Sequence, residues 1–344
     1  MVRGWRWGER TWTKEGAWRG GVVLAALGML ALLVLLGRRH GFGAPEYLQF
    51  LLDGLRGGSI YALVALGFVL VYRVTGVINF AQGAFVMLGP MLTASFYERG
   101  WPPALGLRLA LAALLSIGIV AGIGVAVERW ALYPARRASP LTRIIITVGV
   151  YLILEGAALL LWGPYAKMIP SFTTLSLADP TLRFGELRIK AQSLWIWGAL
   201  GISLLTLALF FGRTTLGKAM RACAVNRLAA QLMGIRVDTM STLAFGLAAA
   251  LGALAGIVLG PATRPTYELG LELGLKGFVA AIMGGLVSFP GAVLGGLLLG
   301  ALENLWAGVT MAGFKDLFAF IILILVLLIH PQGFAGSEAE VERA

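Results

Sequence analysis

The chain of 344 residues is short of cysteine, histidine and charge, and each shortage removes a class of function. Cys223 is the single cysteine, so no internal disulfide can form. His40 and His330 lie at opposite ends beside apolar segments, which denies the chain a thiolate cluster or an H-E-x-x-H zinc helix. There is no Gly-x-x-x-x-Gly-Lys-Ser/Thr loop, the usual means of cradling ATP phosphates. Charged residues make up 13% of the chain, against roughly 25% in a typical soluble domain. Apolar runs recur from end to end and leave no room for a separate soluble domain of ~100 residues. Carboxylates and serines offer no catalytic constellation either.

What is abundant is apolar and small. Hydrophobic residues account for 58% of the chain, and 47 glycines suit close packing of helices through small side chains. The formal charge of +11 sits in a few short connections between apolar spans, so it reads as membrane topology rather than nucleic-acid binding. The first 19 residues carry Arg3, Arg6, Arg10, Lys14 and Arg19 against Glu9 and Glu15, ahead of an apolar run at 21–36. Gly37, Arg38, Arg39 and His40 follow where a signal peptide would show a small-residue cleavage site. An uncleaved anchor with a cytoplasmic N-terminus is expected, with a cleaved or peripheral segment as the competing reading.

Further apolar stretches run at about 48–72, 79–97, 104–127, 141–163, 192–211, 238–262, 274–306 and 315–330. The unambiguous ones approach or exceed the ~20 residues needed to cross the hydrocarbon. The connection at 128–143 carries Arg129, Arg136, Arg137 and Arg143 against Glu128, and that at 212–236 carries five basic residues and no acid until Asp238. Both belong inside by the positive-inside rule, whereas the mixed-charge loop at 164–190 suits the outer face. Two places predict broken helices. Tyr72 and Arg73 end one span, a Gly-, Asn- and Gln-bearing break follows, and a second span starts at once. Such a break belongs where protein or a water-lined path satisfies its backbone. At Ser288-Phe289-Pro290-Gly291 the proline removes a donor and disfavours helix at Phe289, so 274–306 is expected to split into two short crossings. The fold class is therefore all-α: a polytopic transmembrane helical permease with eight to ten membrane segments, some broken or short.

The connection at 212–236 is too regular for a plain turn. From Leu216 onward Met220, Leu228, Leu232 and Met233 give an interrupted apolar face, while Arg221 and Arg227 stay polar. Ala229 and Ala230 would let a partner approach closely, and Gly234 can end the helix. A short amphipathic cytoplasmic helix is expected, with three uses open to it: docking a soluble partner, lying at the lipid surface, or simply connecting two spans.

Several ordered passages together resemble one family. They are Gly57-Gly58-Ser59-Ile60-Tyr61-Ala62-Leu63, Gly76-Val77-Ile78-Asn79-Phe80-Ala81-Gln82-Gly83, and Arg221-Ala222 through Ala229-Ala230-Gln231-Leu232-Met233-Gly234-Ile235. Then come Lys276-Gly277-Phe278-Val279-Ala280-Ala281-Ile282-Met283-Gly284-Gly285, Pro290-Gly291-Ala292-Val293-Leu294-Gly295-Gly296 and the ending His330-Pro331-Gln332-Gly333-Phe334. From about residue 48 to 335 the chain resembles the inner-membrane permeases of high-affinity branched-chain amino acid ABC transporters, of the LivH type. The resemblance implies a heteromeric importer in the plasma (inner) membrane. Its parts are a second homologous permease subunit, two cytoplasmic ABC ATPase subunits that use ATP, and an extracytoplasmic binding protein that delivers leucine, isoleucine or valine. This chain would bind no cofactor, would be no enzyme by itself, and would supply alternating access. Residues 1–47 would be an added basic N-terminus and anchor, 48–335 the permease domain, and 336–344 a polar tail. Segment 216–235 would be the coupling helix, with Leu228, Ala229, Ala230, Leu232 and Gly234 as contact candidates. The family often has an acid near the positions of Val225 and Asn226, which this chain lacks.

For the translocation path the candidates are Ser59, Tyr61, Asn79 and Gln82, because polar groups at membrane depth are costly unless satisfied. Helix packing and capping are the competing roles. Glu155, in the middle of 141–163, is the sharpest ionisable outlier, open to a structural or a gating role. Glu303 and Asn304 close the split region, and Cys223 reads as a small packing residue. A permease for urea, amides or other amino acids is the nearest alternative. A self-contained transporter driven by an ion gradient is the alternative from another class, and it would need an internal ion site.

Overall fold

The computed structural model describes residues 37, 41–100, 107–173, 181–310, 313, 315–329 and 333. The expected anchor at 21–36, His40, the tail at 336–344 and most of the ending at 330–334 lie outside them. The described chain is helical apart from one small hairpin. Its helices are α1 (Ala44–Thr75), α2 (Gln82–Glu98), α3 (Arg108–Ala126), α4 (Pro140–Trp162), α5 (Ala191–Arg213), α6 (Thr215–Val225) and α7 (Arg227–Leu232), followed by α8 (Val237–Thr263), α9 (Leu269–Gly284), α10 (Phe289–Val309) and α11 (Lys315–Ile329). A π-helical turn, Val127–Leu132, extends α3, and β1 (Thr181–Phe184) pairs antiparallel with β2 (Leu187–Lys190). Among the described residues six helices are long and apolar enough to cross a membrane: α1, α3 with its π turn, α4, α5, α8 and α10. The helices α2, α9 and α11 are apolar but shorter, at 17, 16 and 15 residues. This is a multi-pass membrane protein.

Both expected breaks occur. Gly76 adopts φ 68° and caps α1 by donating its N–H to the Tyr72 carbonyl. A left-handed residue at this place favours glycine. Residues 77–81 then lead into α2, and Asn79 and Gln82 are fully buried there. In the second break the turn falls at 285–288, three residues ahead of the expected turn at Ser288-Phe289-Pro290-Gly291, because Phe289 already begins α10. Gly285 (φ 82°) ends α9, Ser288 accepts the Gly291 N–H at 3.1 Å, and Pro290 sits in the first turn of α10. The first turn tolerates proline because its N–H groups have no intrahelical partner.

Helix α1 is the axis of the bundle: 83% of its most apolar window is buried, against 17% for α4 and 28% for α5. Exposed Leu160, Leu161, Ile153, Ile202 and Leu205 place α4 and α5 at the periphery of the chain. Lipid is as apolar as leucine, so helices associate here by close approach rather than by hydrophobic drive. A Cβ on Gly300 would stand 2.3 Å from the Gly58 N, and one on Gly58 would stand 2.6 Å from the Gly296 carbonyl oxygen. Glycine on both sides is what lets α1 and α10 touch backbone to backbone. Pro90, inside α2, has no N–H for the Val86 carbonyl, and that carbonyl faces Gly256 of α8, where a Cβ would come within 1.9 Å.

The connections sort into two faces. On one, Arg136 pairs with Asp238 at 3.2 Å and Arg227 donates to the Thr75 carbonyl at 3.1 Å, which gathers the two basic connections around the end of α1. On the other, Lys167 pairs with Glu98 at 2.7 Å and donates its N–H to Pro265, while Gln49 bonds the Arg188 backbone of the hairpin. Charge segregation and tertiary contact therefore agree.

Thermal unfolding of the purified protein checks the packing argument. Gly300→Ala is expected to cost about 1–3 kcal/mol, because the intruding methyl meets backbone that cannot yield. Gly156→Ala, where nothing lies within 4 Å, is expected to be neutral or to gain up to about 1 kcal/mol.

Candidate functional site

Three polar groupings stand out against this apolar bundle. The first is at the break between α1 and α2. Asn79 Oδ1 accepts the Ala81 N–H at 3.1 Å, two residues on, so its side chain fixes the turn ahead of α2, and its Nδ2 is buried without a hydrogen bond. Gln82 Nε2 donates to the Ala248 carbonyl at 2.9 Å, and its Oε1 is likewise buried and unbonded. Gly67 and Gly252 make the room for this side chain: a Cβ at either would stand 2.1 or 3.0 Å from Gln82 Nε2. The Phe80 N–H is taken by Thr147 Oγ1 of α4 at 3.1 Å, so the irregular backbone is partly paired across the bundle.

The second grouping joins Tyr61 and Glu303, which the sequence named separately, around Lys276, which it did not single out. Lys276 of α9 is 1% exposed, and its Nζ stands 2.8 Å from Glu303 Oε1 of α10, 2.7 Å from Glu272 Oε1 and 2.6 Å from Asp316 Oδ1 of α11. Glu303 is fully buried, while Glu272 and Asp316 are more than half exposed. Neither Glu303 oxygen has a well-angled hydrogen bond, so its contact with Lys276 is ionic attraction at short range rather than a directed bond. Lys315 adds a second, more distant cation at 4.0 Å. Tyr61 of α1 is buried beside the cluster, with Lys276 Nζ 5.6 Å from its ring centroid. One ammonium thus ties α9, α10 and α11 together against α1.

The third grouping is the segment at 212–236 on the basic face. It is two helices, not the single amphipathic one expected, because Asn226 takes an extended conformation (φ −157°, ψ 109°) between α6 and α7. Its side chain accepts the Ala229 N–H at 3.0 Å and so caps α7. Gly234, at φ 82°, follows α7 and donates its N–H to the Gln231 carbonyl. Met220 and Cys223 of α6 are buried, and burial pushes the Cys223 thiol up from its ordinary pKa. Leu228, Leu232 and Met233 are 66%, 80% and 82% exposed, so the apolar face divides between an inward α6 and an outward α7.

The sequence candidates fall as follows. Ser59 Oγ donates to the Leu55 carbonyl at 2.7 Å, a bond within its own helix. Tyr61 belongs to the lysine cluster, and Asn79 and Gln82 share the break. Glu155 stands apart on peripheral α4, half-buried, accepting the Tyr151 O–H at 2.8 Å. No hydrogen bond or ion pair joins it to the other four among the described residues. Of the coupling candidates, Leu228, Ala229, Leu232 and Gly234 are exposed, but Ala230 is 4% exposed and turned inward, because α7 is too short to show every side to a partner. Lys276 could have been found as a lysine inside an apolar run, but only Glu272 shares its helix; Glu303 and Asp316 lie on separate helices, 27 and 40 residues later.

The fit of Gln82 against Gly67 is open to test. Gly67→Ala is expected to cost about 1–3 kcal/mol by forcing Gln82 off the Ala248 carbonyl. Gln82→Ala in the same chain should return most of that loss, because neighbours sharing one space are not additive. Melting temperatures of the two single variants and the double check this, and additive losses would contradict it.

The family described as "Branched-chain amino acid transport system / permease component" matches residues 50–327. The chain is similar to the high-affinity branched-chain amino acid transport system permease protein BraD of Pseudomonas aeruginosa, 35% identical over 302 residues, covering 87% of this chain and 98% of that protein. It is similar to LivH, of the same description, from Escherichia coli, 34% identical over 307 residues, covering 86% and 97%. The ribose import permease protein RbsC of Escherichia coli is 27% identical over 333 residues, covering 94% and 95%. By the extent of the first match and the identity of the next two, the chain belongs to the branched-chain amino acid transport system permease component family.

Proposed function

We propose that this chain is the membrane-spanning permease subunit of an ATP-driven importer of leucine, isoleucine and valine. The observation that carries the reading is the match to branched-chain amino acid permeases along almost their whole length. Residues 48–335 form the permease, 1–47 add a basic segment and anchor, and 336–344 are a polar tail. The chain sits in the bacterial inner membrane with its basic face and N-terminus in the cytoplasm, as the positive-inside rule requires. A second homologous permease, two cytoplasmic ATPases and an extracytoplasmic binding protein complete the importer, and ATP is used by the ATPases alone.

The exposed Leu228, Ala229, Leu232 and Met233 of α7 and its end are the docking surface for an ATPase. Large apolar side chains gathered on a basic, water-facing surface favour a partner over solvent. Arg227, at the start of α7, holds the end of α1 through the Thr75 carbonyl, so a push on α7 reaches the central helix directly. The end of α1 leads into the break that holds Asn79 and Gln82. Both keep a buried unbonded polar atom, Nδ2 and Oε1, which a solute or water can take only once the helices part. Alternating access is that parting, driven from the ATPases.

Reconstitution with the cognate ATPases, second permease and binding protein should give ATP-dependent leucine uptake. Ribose or an amide carried in place of every branched-chain amino acid would overturn the substrate and spare the architecture. Leu232→Asp is expected to lower ATPase co-purification at least about tenfold while leaving the melting temperature unchanged, as for an interface hot spot. Ala230→Trp should instead destabilise the permease itself. An ATPase retained at full affinity by Leu232→Asp would rule out this docking surface.

A further inference from the structure

On the basic face, a small cavity of about 40 Å³ lies where the π turn, the start of α4, the start of α7 and the start of α8 meet. Among its lining residues are Arg136, Arg143 and Arg227, with Glu128 and Asp238. Four of these five groups are occupied. Asp238 pairs with Arg136 at 3.2 Å, Glu128 accepts the Thr242 hydroxyl at 2.6 Å, and Arg227 Nη1 donates to the Thr75 carbonyl at 3.1 Å. Arg143 is the exception. Its Nε is buried without a partner, and its guanidinium makes no hydrogen bond or ion pair with any described residue.

A half-buried guanidinium left in this way lacks its counter-charge, and the groups around it do not supply one. Its charged neighbour Arg227 is of like sign, Asp238 is paired with Arg136, and Glu128, which accepts the Thr242 hydroxyl, makes no ion pair with Arg143. A buried polar group without a partner calls for an ion or a water. The cavity exceeds the roughly 10–15 Å³ that one water needs on this measure. The arginines offer planar forks suited to a tetrahedral oxyanion. Trp130, 80% exposed, and Tyr133, flanked by Arg129 and Arg136 at 4.8 and 4.5 Å, mark this level as the membrane–water interface, where phosphate is concentrated in the lipid headgroups.

We infer that the cavity between Arg136, Arg143 and Arg227 is a phosphate-binding site, whose occupant neutralises Arg143 and joins the start of α4 to the coupling segment through Arg227. The inference does not depend on the transported solute. It adds an occupant that ties a peripheral helix to the segment assigned to ATPase docking, so occupancy would stiffen that segment.

The full chain in neutral detergent is titrated, by calorimetry, with inorganic phosphate and separately with a short-chain phosphatidic acid; short-chain phosphatidylcholine is the control. Saturable binding is expected, with Arg143→Gln weakening it at least about tenfold, the loss of a charge-assisted contact. Arg129→Gln, outside the cavity lining, should bind like the native chain. Arg143→Lys keeps the charge without the fork and should still weaken binding, which preserves the test if Arg143→Gln does not fold. Tighter binding of phosphatidic acid assigns the site to a headgroup, and tighter binding of inorganic phosphate assigns it to the free anion. No saturable binding of either, or equal binding by native protein and both Arg143 variants, would overturn the site and leave the cavity to water.

Discussion

The centre of this protein depends on keeping one charged lysine inside an apolar bundle. Lys276 is almost wholly enclosed, and a charge in such surroundings persists only when it is paired. Its neutralisation is shared unequally: Glu303 is equally buried, while Glu272 and Asp316 reach it from more exposed positions. The three acids come from α9, α10 and α11, and α1 closes the remaining side with Tyr61. The short helices α9 and α11 have little lipid-crossing length of their own, so the ion cluster fixes their positions as much as their apolar surface does. Glycine contacts do the same for α10 against α1, by backbone proximity instead of charge.

These two constraints leave other parts of the molecule freer. Helices α4 and α5 meet the rest along narrow faces and expose leucine and isoleucine broadly. The segment α6–α7 meets the core through few contacts: the bond from Arg227 to the Thr75 carbonyl and the buried side chains of Met220 and Cys223. A segment held by directed bonds at one edge can be moved by a partner without dismantling the core. The connection from α7 through the end of α1 to the Asn79–Gln82 break is short and continuous, which suits a role in passing motion from the basic face inward.

The fold was readable in the sequence wherever local chemistry decides it. Gly76 and the run to Gln82 announced a break because glycine takes the left-handed turn that ends a helix and short polar residues bond the backbone beyond it, and Pro290 announced the second. The basic connections at 128–143 and 212–236 announced which loops share a face. Tertiary placement was not readable in the same way. Glu155 looks deeply placed because it is central in its span, yet α4 is peripheral and Tyr151 satisfies the carboxylate locally. Lys276 looks like one residue of a conventional passage with Glu272 one turn before it, and only the approach of α10 and α11 adds Glu303 and Asp316. Ala230 and Ala229 are indistinguishable as small residues, but one turn of a six-residue helix buries the first and exposes the second. Asn226 was visible as a missing acid. Its capping geometry, which divides the segment in two, was not.

The lysine cluster is tested most directly by comparing Lys276→Met, Glu303→Leu and the double variant in equilibrium unfolding of the purified protein. Lys276→Met should be severe, roughly 3–5 kcal/mol, because it leaves the buried Glu303 carboxylate without its close partner. Glu303→Leu should cost less, because Glu272 and Asp316 still neutralise the lysine. The double variant should recover most of the Lys276→Met loss, since it removes both charges from the apolar interior together. Losses that simply add in the double variant, or single changes that cost nothing, would contradict a core organised around one neutralised lysine.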